Sequence, residues 1–286
     1  MAGSFRENKY GYYFVLPATL LLMTVIILPA INTLKLSIST KDGSGYVFKH
    51  YARAISDPVV QAAFRNTFLI STVSVCFFII IGLSIALFLN RPMRGRVWLR
   101  IIALLPWTVP DVAVGLTWRW IYNPTYGVLN GLIEKLGLPF GNIEWLSSPN
   151  LAIYSIIATN IWRGYPFAMI ILLAGLQSIP KEWYECAALD GADAFKQFWH
   201  ITIPGLKKSL IVSLALSTIW EFRRFALVSI MTGGGPGYST EVMPTLVFKQ
   251  YFKFFNFEYA SAIAIMLTIV LLVISIPYIK GLLSEV

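Results

Sequence analysis

A chain of 286 residues with 57% hydrophobic and only 13% charged residues falls well short of the roughly 25% charge of an ordinary soluble domain. Its mean hydropathy of +0.67 excludes a single water-soluble core and requires lipid as solvent. The net charge of +9 implies no nucleic-acid partner here, because cationic loops that orient a membrane bundle account for it.

The expected fold class is all-α, a polytopic membrane protein with six transmembrane helices in the lipid bilayer, at about 12–34, 63–90, 98–122, 151–176, 206–231 and 258–281. Residues 1–11 are expected to be a cytoplasmic N-terminal segment and 12–286 one transmembrane domain. The first stretch reads as an anchor, since its apolar run exceeds the roughly 7–15 residues of a signal-peptide core. Placing the termini in the cytoplasm puts Arg6, Lys9, Arg91, Arg94, Arg96, Arg100, Lys181, Lys196, Lys207, Lys208 and Lys280 inside. The outer cations, Lys35, Lys41, Lys49, Arg53, Lys135, Lys249 and Lys253, are spread over longer loops that count for less in orientation. Trp118, Trp120 and Tyr122 mark the outer end of the third span, and Leu129–Leu136 reads as a short amphipathic stretch on the outer surface. Cys76 and Cys186 form no disulfide framework, and His50 and His200 lack metal-ligand spacing, so no metal is assigned.

The loop between the fourth and fifth spans, about 179–204, carries apolar residues at helical spacing. Pro180 suits a first helical turn, Tyr184, Ala187 and Ala188 share a face, and Gly191 permits a turn into a second short helix with Phe195, Phe198 and Trp199. Trp183 and Trp199 read as interfacial anchors. Such a hairpin either docks a partner through its small residues, with Glu185, Asp190 and Asp193 as acidic contacts, or packs beneath its own bundle.

This loop resembles the cytoplasmic EAA loop of ABC importer permeases, in Glu185, Ala187, Ala188, Asp190, Gly191, Ala192, Ile201 and Pro204. It departs at Cys186 for Ala, Ile203 for Leu and Lys208 for a second Pro. Leu105-Pro106 to Trp118-Arg119, Asn123-Pro124, Trp162-Arg163, Pro166-Phe167, Ala174 to Pro180 and Met231 to Pro236 extend the resemblance to maltose- and glycerol-phosphate-type carbohydrate permeases. The resemblance implies a type I ABC importer permease fold in the bacterial inner membrane. It also implies a second permease subunit, as a heterodimer, two ABC ATPase subunits and an extracytoplasmic solute-binding protein. No G-x-x-x-x-G-K-[ST] occurs in the sequence, so no cofactor is expected on this chain, and ATP and Mg belong to the partner ATPase. The chain is expected to be a transport subunit and not an enzyme.

Ionisable residues within spans are costly and face a cavity or a partner. Arg65, Arg119, Arg163, Arg223 and Arg224 fall there with Asp111 and Glu221. In the resembling family the fifth-span stretch often reads F-N-x-F-D at the sugar site. This sequence keeps Phe222 and Phe225, three apart, but has Arg223 for Asn and Ala226 for Asp. The expected substrate residues are Phe222, Arg223, Arg224, Phe225, Asp111 and Arg163, the last as gate, helix cap or sugar contact. A guanidinium suits a carboxylate, sulfonate or phosphate, which points to an anionic sugar. The alternative is internal pairing of Glu221 with Arg224 and of Asp111 with Arg223, while Arg65 and Arg119 can snorkel. The triple Gly233–Gly235 reads as a tight outer turn. The rival function is an ion-gradient-driven secondary transporter using Asp111 and Glu221.

Overall fold

The structure is a computed structural model that describes residues 4–40, 45–139 and 141–283, with side chains from residue 13. Lys41 lies outside the described residues, as do the side chains of Arg6 and Lys9. The described helices, in chain order, are α1 (Ser4–Leu22), α2 (Leu28–Ile38), α3 (Lys49–Ser56), α4 (Pro58–Asn90), α5 (Arg96–Thr108), α6 (Asp111–Ile121), α7 (Val128–Lys135) and α8 (Ala152–Ser178). They continue with α9 (Lys181–Leu189), α10 (Ala194–Gln197), α11 (Ile203–Gly205), α12 (Lys207–Phe222), α13 (Ala226–Met231), α14 (Met243–Phe248) and α15 (Phe257–Leu283). A π-helical turn, Met23–Ile27, joins α1 to α2.

Among the described residues, four helices are long and apolar enough to cross a membrane: Tyr13–Ile38, Pro58–Asn90, Ala152–Ser178 and Phe257–Leu283. The pair α5 and α6 makes a fifth if it is one broken span, for its halves are bent by 92°. The expected third span is thus not continuous. Pro110 has no N–H to donate, and it forces Val109 into extended backbone at the end of α5. The expected fifth stretch, 206–231, is also divided, into the 16 residues of α12 and the 6 of α13. The last turn of α12 tightens, with Arg223 N–H donating to the Trp220 carbonyl at 3.2 Å and Arg224 N–H to that of Glu221 at 3.1 Å.

Two compact units are present. One comprises the chain through Asp57 together with Val247–Thr268. Within it, the Ser37 and Tyr51 hydroxyls are 2.6 Å apart, His50 Nε2 meets the Ser39 carbonyl at 3.1 Å, and Tyr259 donates to Asp57 at 2.8 Å. The Arg53 guanidinium lies 4.3 Å from the centre of the Tyr259 ring.

The other unit comprises Pro58–Leu246 and the chain from Ile269. Its centre is the packing of α4 on α8. Small residues bring the helix backbones together: a Cβ built on Gly82 would lie 2.8 Å from the Met169 backbone nitrogen. One apolar cluster joins Ala86 and Leu89 to Leu172, Leu176 and Leu206, and takes in half-buried Tyr184 and Ile201 from the hairpin. A second, around Ile70, Val114, Ile156 and Leu227, holds α6 and α13 against α4 and α8. Asn66 on α4 donates to the carbonyls of Tyr238, Ser239 and Glu241 at 3.3, 3.0 and 3.1 Å, fastening the segment after the triple glycine. α7 occupies the stretch expected to be amphipathic.

Candidate functional site

Both helix breaks place charge in the same region of the larger unit. Asp111 opens α6, where a carboxylate favours the partial positive charge of exposed N–H groups. Glu221 and Arg224 flank the end of α12, and Arg163 projects from α8. Arg224 Nε lies 3.0 and 2.9 Å from the two Glu221 carboxylate oxygens, and its Nη1 lies 3.2 Å from Asp111 Oδ1. Arg163 forms a second ion pair with Asp111. Asn160 donates to Glu221 and, at 2.9 Å, to the Ser74 hydroxyl. The network therefore joins α4, α6, α8 and the end of α12.

The expected pairing of Asp111 with Arg223 is corrected: Asp111 is taken by Arg163 and Arg224. The expected Glu221–Arg224 pair is present. Two arginines thus face two carboxylates. Arg223, exposed, has no ion-pair partner among the described residues. Neither have Arg65 and Arg119, both exposed; Arg119 lines a separate cavity with Asn123 and Ser147.

A cavity of about 640 Å³ opens beside the network, lined by Trp107, Asp111, Arg163, Trp220, Arg223, Arg224, Phe225 and Ala226. Trp107, Phe167 and Trp220 form an aromatic row, with ring centroids 6.1 and 4.5 Å apart. Phe222 does not join it. The expectation that Phe222 and Phe225 share one side is overturned because α12 ends between them. Phe222 is only 3% exposed and packs edge-on to Phe68 at 6.0 Å, while Phe225 reaches the cavity. Reading the sequence missed Trp107, Trp220 and Asn160. The prolines at 106 and 110 signalled the first break, and Asn160 stood as a polar residue inside an apolar run.

Beyond the C-terminal end of α8 the chain makes the expected hairpin. α9 ends in a Schellman arrangement: Gly191 N–H donates to the Ala188 carbonyl at 3.1 Å and Ala192 N–H to that of Ala187 at 2.8 Å. Gly191 has φ +80°, the left-handed region where a side chain is strained. Asp193 then caps α10 by accepting from Lys196 N–H at 2.8 Å. The hairpin is rooted by Tyr184, whose hydroxyl lies 3.0 Å from that of buried Thr202. Ala187, Ala192 and Ile201 are half-buried, whereas Glu185, Ala188, Asp190, Gly191 and Pro204 are exposed. Ala188 thus parts from the Tyr184 and Ala187 face expected for it. Leu189 is 89% exposed and Phe195 70%. The chain leaves these apolar groups uncovered beside three exposed acids, Glu185, Asp190 and Asp193.

Several helices long and apolar enough to cross a membrane define a polytopic membrane protein. Residues 78–284 match the family described as the inner membrane component of binding-protein-dependent transport systems, and the chain belongs to that family. It is 38% identical over 283 residues to the trehalose/maltose transport system permease protein MalF of Thermococcus litoralis, covering 96% of this chain and 94% of the relative. It is 34% identical over 270 residues to the sulfoquinovosyl glycerol transport system permease protein SmoG of Agrobacterium fabrum, covering 92% and 87%. The fold is similar to a bacterial ABC transporter subunit involved in alginate import, with TM-score 0.86, 22% identity and 97% and 96% coverage. The chain is an inner membrane component with several apolar helices and a transport subunit, not an enzyme.

Proposed function

We propose that this chain is the permease subunit of an ATP-driven ABC importer that moves a sugar or sugar-derived solute delivered by an external solute-binding protein. Residues 12–286 act as one permease domain, its termini in the cytoplasm. A second permease subunit completes the pore as a heterodimer, and two ABC ATPase subunits, holding ATP and Mg, grip the hairpin of α9 and α10. The observation that carries this reading is that hairpin: anchored through Tyr184 and Thr202, yet presenting Leu189 and Phe195 bare beside Glu185, Asp190 and Asp193. Closure of the ATPases then tilts a rooted lever as a rigid body and switches the cavity between outward and inward access.

The substrate is proposed to meet Arg223 and Phe225, with Trp107 and Trp220 as stacking surfaces. Asp111, Arg163 and Arg224 set the shape of the cavity through their mutual pairing, while Phe222, packed on Phe68, anchors the end of α12. Relatives are named for trehalose and maltose and for sulfoquinovosyl glycerol, which supports a carbohydrate cargo. The unpaired Arg223 supports an acidic one.

The test is Glu185→Lys in the assembled transporter. The variant inserts and assembles its helices normally, while transport and binding-protein-stimulated ATP hydrolysis are lost. Normal coupling in the variant, or gradient-driven uptake by the lone chain in vesicles, overturns the proposal.

A further inference from the structure

A second cavity, of about 660 Å³, lies near the root of the hairpin, between the end of α4, the loop after it, the start of α5 and the junction of α8 with α9. Arg91, Arg96, Arg100 and Lys181 line it, with Leu176 and Ile179 as apolar wall, and no carboxylate is among its described lining residues. Arg100 is held in place, its Nη2 donating to the Leu89 carbonyl at 3.2 Å, while its Nε is buried without a hydrogen-bond partner. The side chains of Arg91, Arg96 and Lys181 have no hydrogen bond or ion pair among the described residues. A cleft lined by four cations and no carboxylate concentrates positive potential and draws in an anion.

The surroundings say what kind of anion. Arg96 and Arg100 stand one turn apart on α5, and the same helix exposes Val97, Trp98, Ile101 and Ile102, with Trp98 71% exposed. An exposed tryptophan beside basic residues is the signature of a membrane interface, and basic pockets at that depth receive lipid headgroups. We infer that this cavity binds the phosphate of an anionic phospholipid from the leaflet on the hairpin side, with the acyl chains lying along the exposed apolar residues of α5. Tyr184, which roots the hairpin on Thr202, also lines the cavity. An occupied cavity therefore stiffens the lever at its base. This last consequence rests on the reading of the hairpin above, whereas lipid binding does not.

The test uses the assembled transporter in nanodiscs of phosphatidylcholine with and without phosphatidylglycerol. Native mass spectrometry counts the retained phosphatidylglycerol, and stimulated ATP hydrolysis is followed on the same samples. Arg96→Gln with Lys181→Gln removes two cations that hold nothing else in place. Phosphatidylglycerol affinity falls about fivefold for each, roughly thirtyfold for the pair. The charge-preserving pair Arg96→Lys with Lys181→Arg restores it. Unchanged retention in the double Gln variant overturns the inference. So does displacement of the lipid by free glycerol phosphate at equal concentration, which would make the ligand a soluble phosphate. Loss of lipid on adding the ATPases, with weakened ATPase assembly in the Gln variant, would assign the cavity to an acidic side chain of that partner and overturns it equally. Failure here with coupling still lost in Glu185→Lys leaves the hairpin reading standing.

Discussion

Arg224 reaches Asp111 across 113 residues of chain, its Nη1 3.2 Å from Oδ1, so two helix breaks far apart in sequence are tied by one guanidinium. The tie is asymmetric in solvent exposure: the Arg224 side chain is 9% exposed and that of Asp111 30%. Asp111 also serves Arg163, while Glu221 serves Arg224 and Asn160. Breaking the network at Asp111 therefore strands Arg163, whereas Arg224 keeps its pair with Glu221.

Asp111→Asn should lower the melting temperature of the purified subunit and abolish transport. Removing one partner of a buried ion pair costs about 3–5 kcal/mol, and the exposure of Asp111 places this loss at or below the lower end. Adding Arg163→Gln to Asp111→Asn removes the stranded cation and should recover part of the melting temperature. A double variant no more stable than the single one would show that the Asp111–Arg163 pair does not hold the broken span.

Arg223→Asn tests the cargo. Arg223 has no carboxylate partner among the described residues, so the change leaves the network intact and should not lower the melting temperature. A hydrogen bond to a charged group is worth roughly 1.5–3 kcal/mol. Apparent affinity for an acidic sugar should then drop about 10- to 100-fold, while that for a neutral one is maintained or improves. Competition uptake with the two sugars reads the ratio directly, and an unchanged preference removes the case for an anionic ligand.

The hairpin was legible in the sequence because its signals are local: Pro180 at the start, Gly191 at the turn, and apolar residues at helical spacing between them. The charged network was half legible. Glu221 and Arg224 are three apart in sequence, and the helical spacing assumed for them brings such side chains together; the tightened turn that ends α12 keeps them within reach. Whether Asp111 would meet Arg163, Arg223 or Arg224 depended on the 92° bend between α5 and α6, which hydropathy averaged over a whole span cannot register. The same averaging joined α12 to α13 and so put Phe222 and Phe225 on one face. Hydropathy records how apolar a segment is, but not where an i→i+4 ladder stops inside it.

Gly82→Val should damage the centre of the larger unit. A Cβ there would stand 2.8 Å from the Met169 backbone nitrogen and 2.9 Å from the Ala168 Cβ. Neither belongs to a flexible side-chain end, so α4 and α8 must separate. Overpacking of this kind costs about 1–3 kcal/mol, and in a membrane bundle close packing replaces the hydrophobic drive that holds soluble helices together. The expected result is a lower melting temperature and a broadened size-exclusion profile in detergent. A profile and melting temperature like those of the unchanged protein would mean that the two helices approach less closely.

Gly191 separates the backbone demand of the hairpin from its demand for space. Nothing lies within 4 Å of a Cβ built there, yet its φ of +80° is one that L side chains rarely adopt. Substitution is thus penalised by conformation rather than by collision within this chain, about 1–2 kcal/mol for an ordinary residue in the left-handed region and less for Asn. Gly191→Asn and Gly191→Val should both leave the membrane helices intact by circular dichroism. Asn should keep much of the Schellman turn, whereas Val should loosen it and spoil the angle between α9 and α10. If the turn alone matters, binding-protein-stimulated ATP hydrolysis survives in Gly191→Asn and falls in Gly191→Val. If a partner's surface lies against Gly191, as proposed for the ATPase, both variants lose stimulation although only Val strains the turn. Stimulation at the unchanged level in both would remove the hairpin from the coupling path.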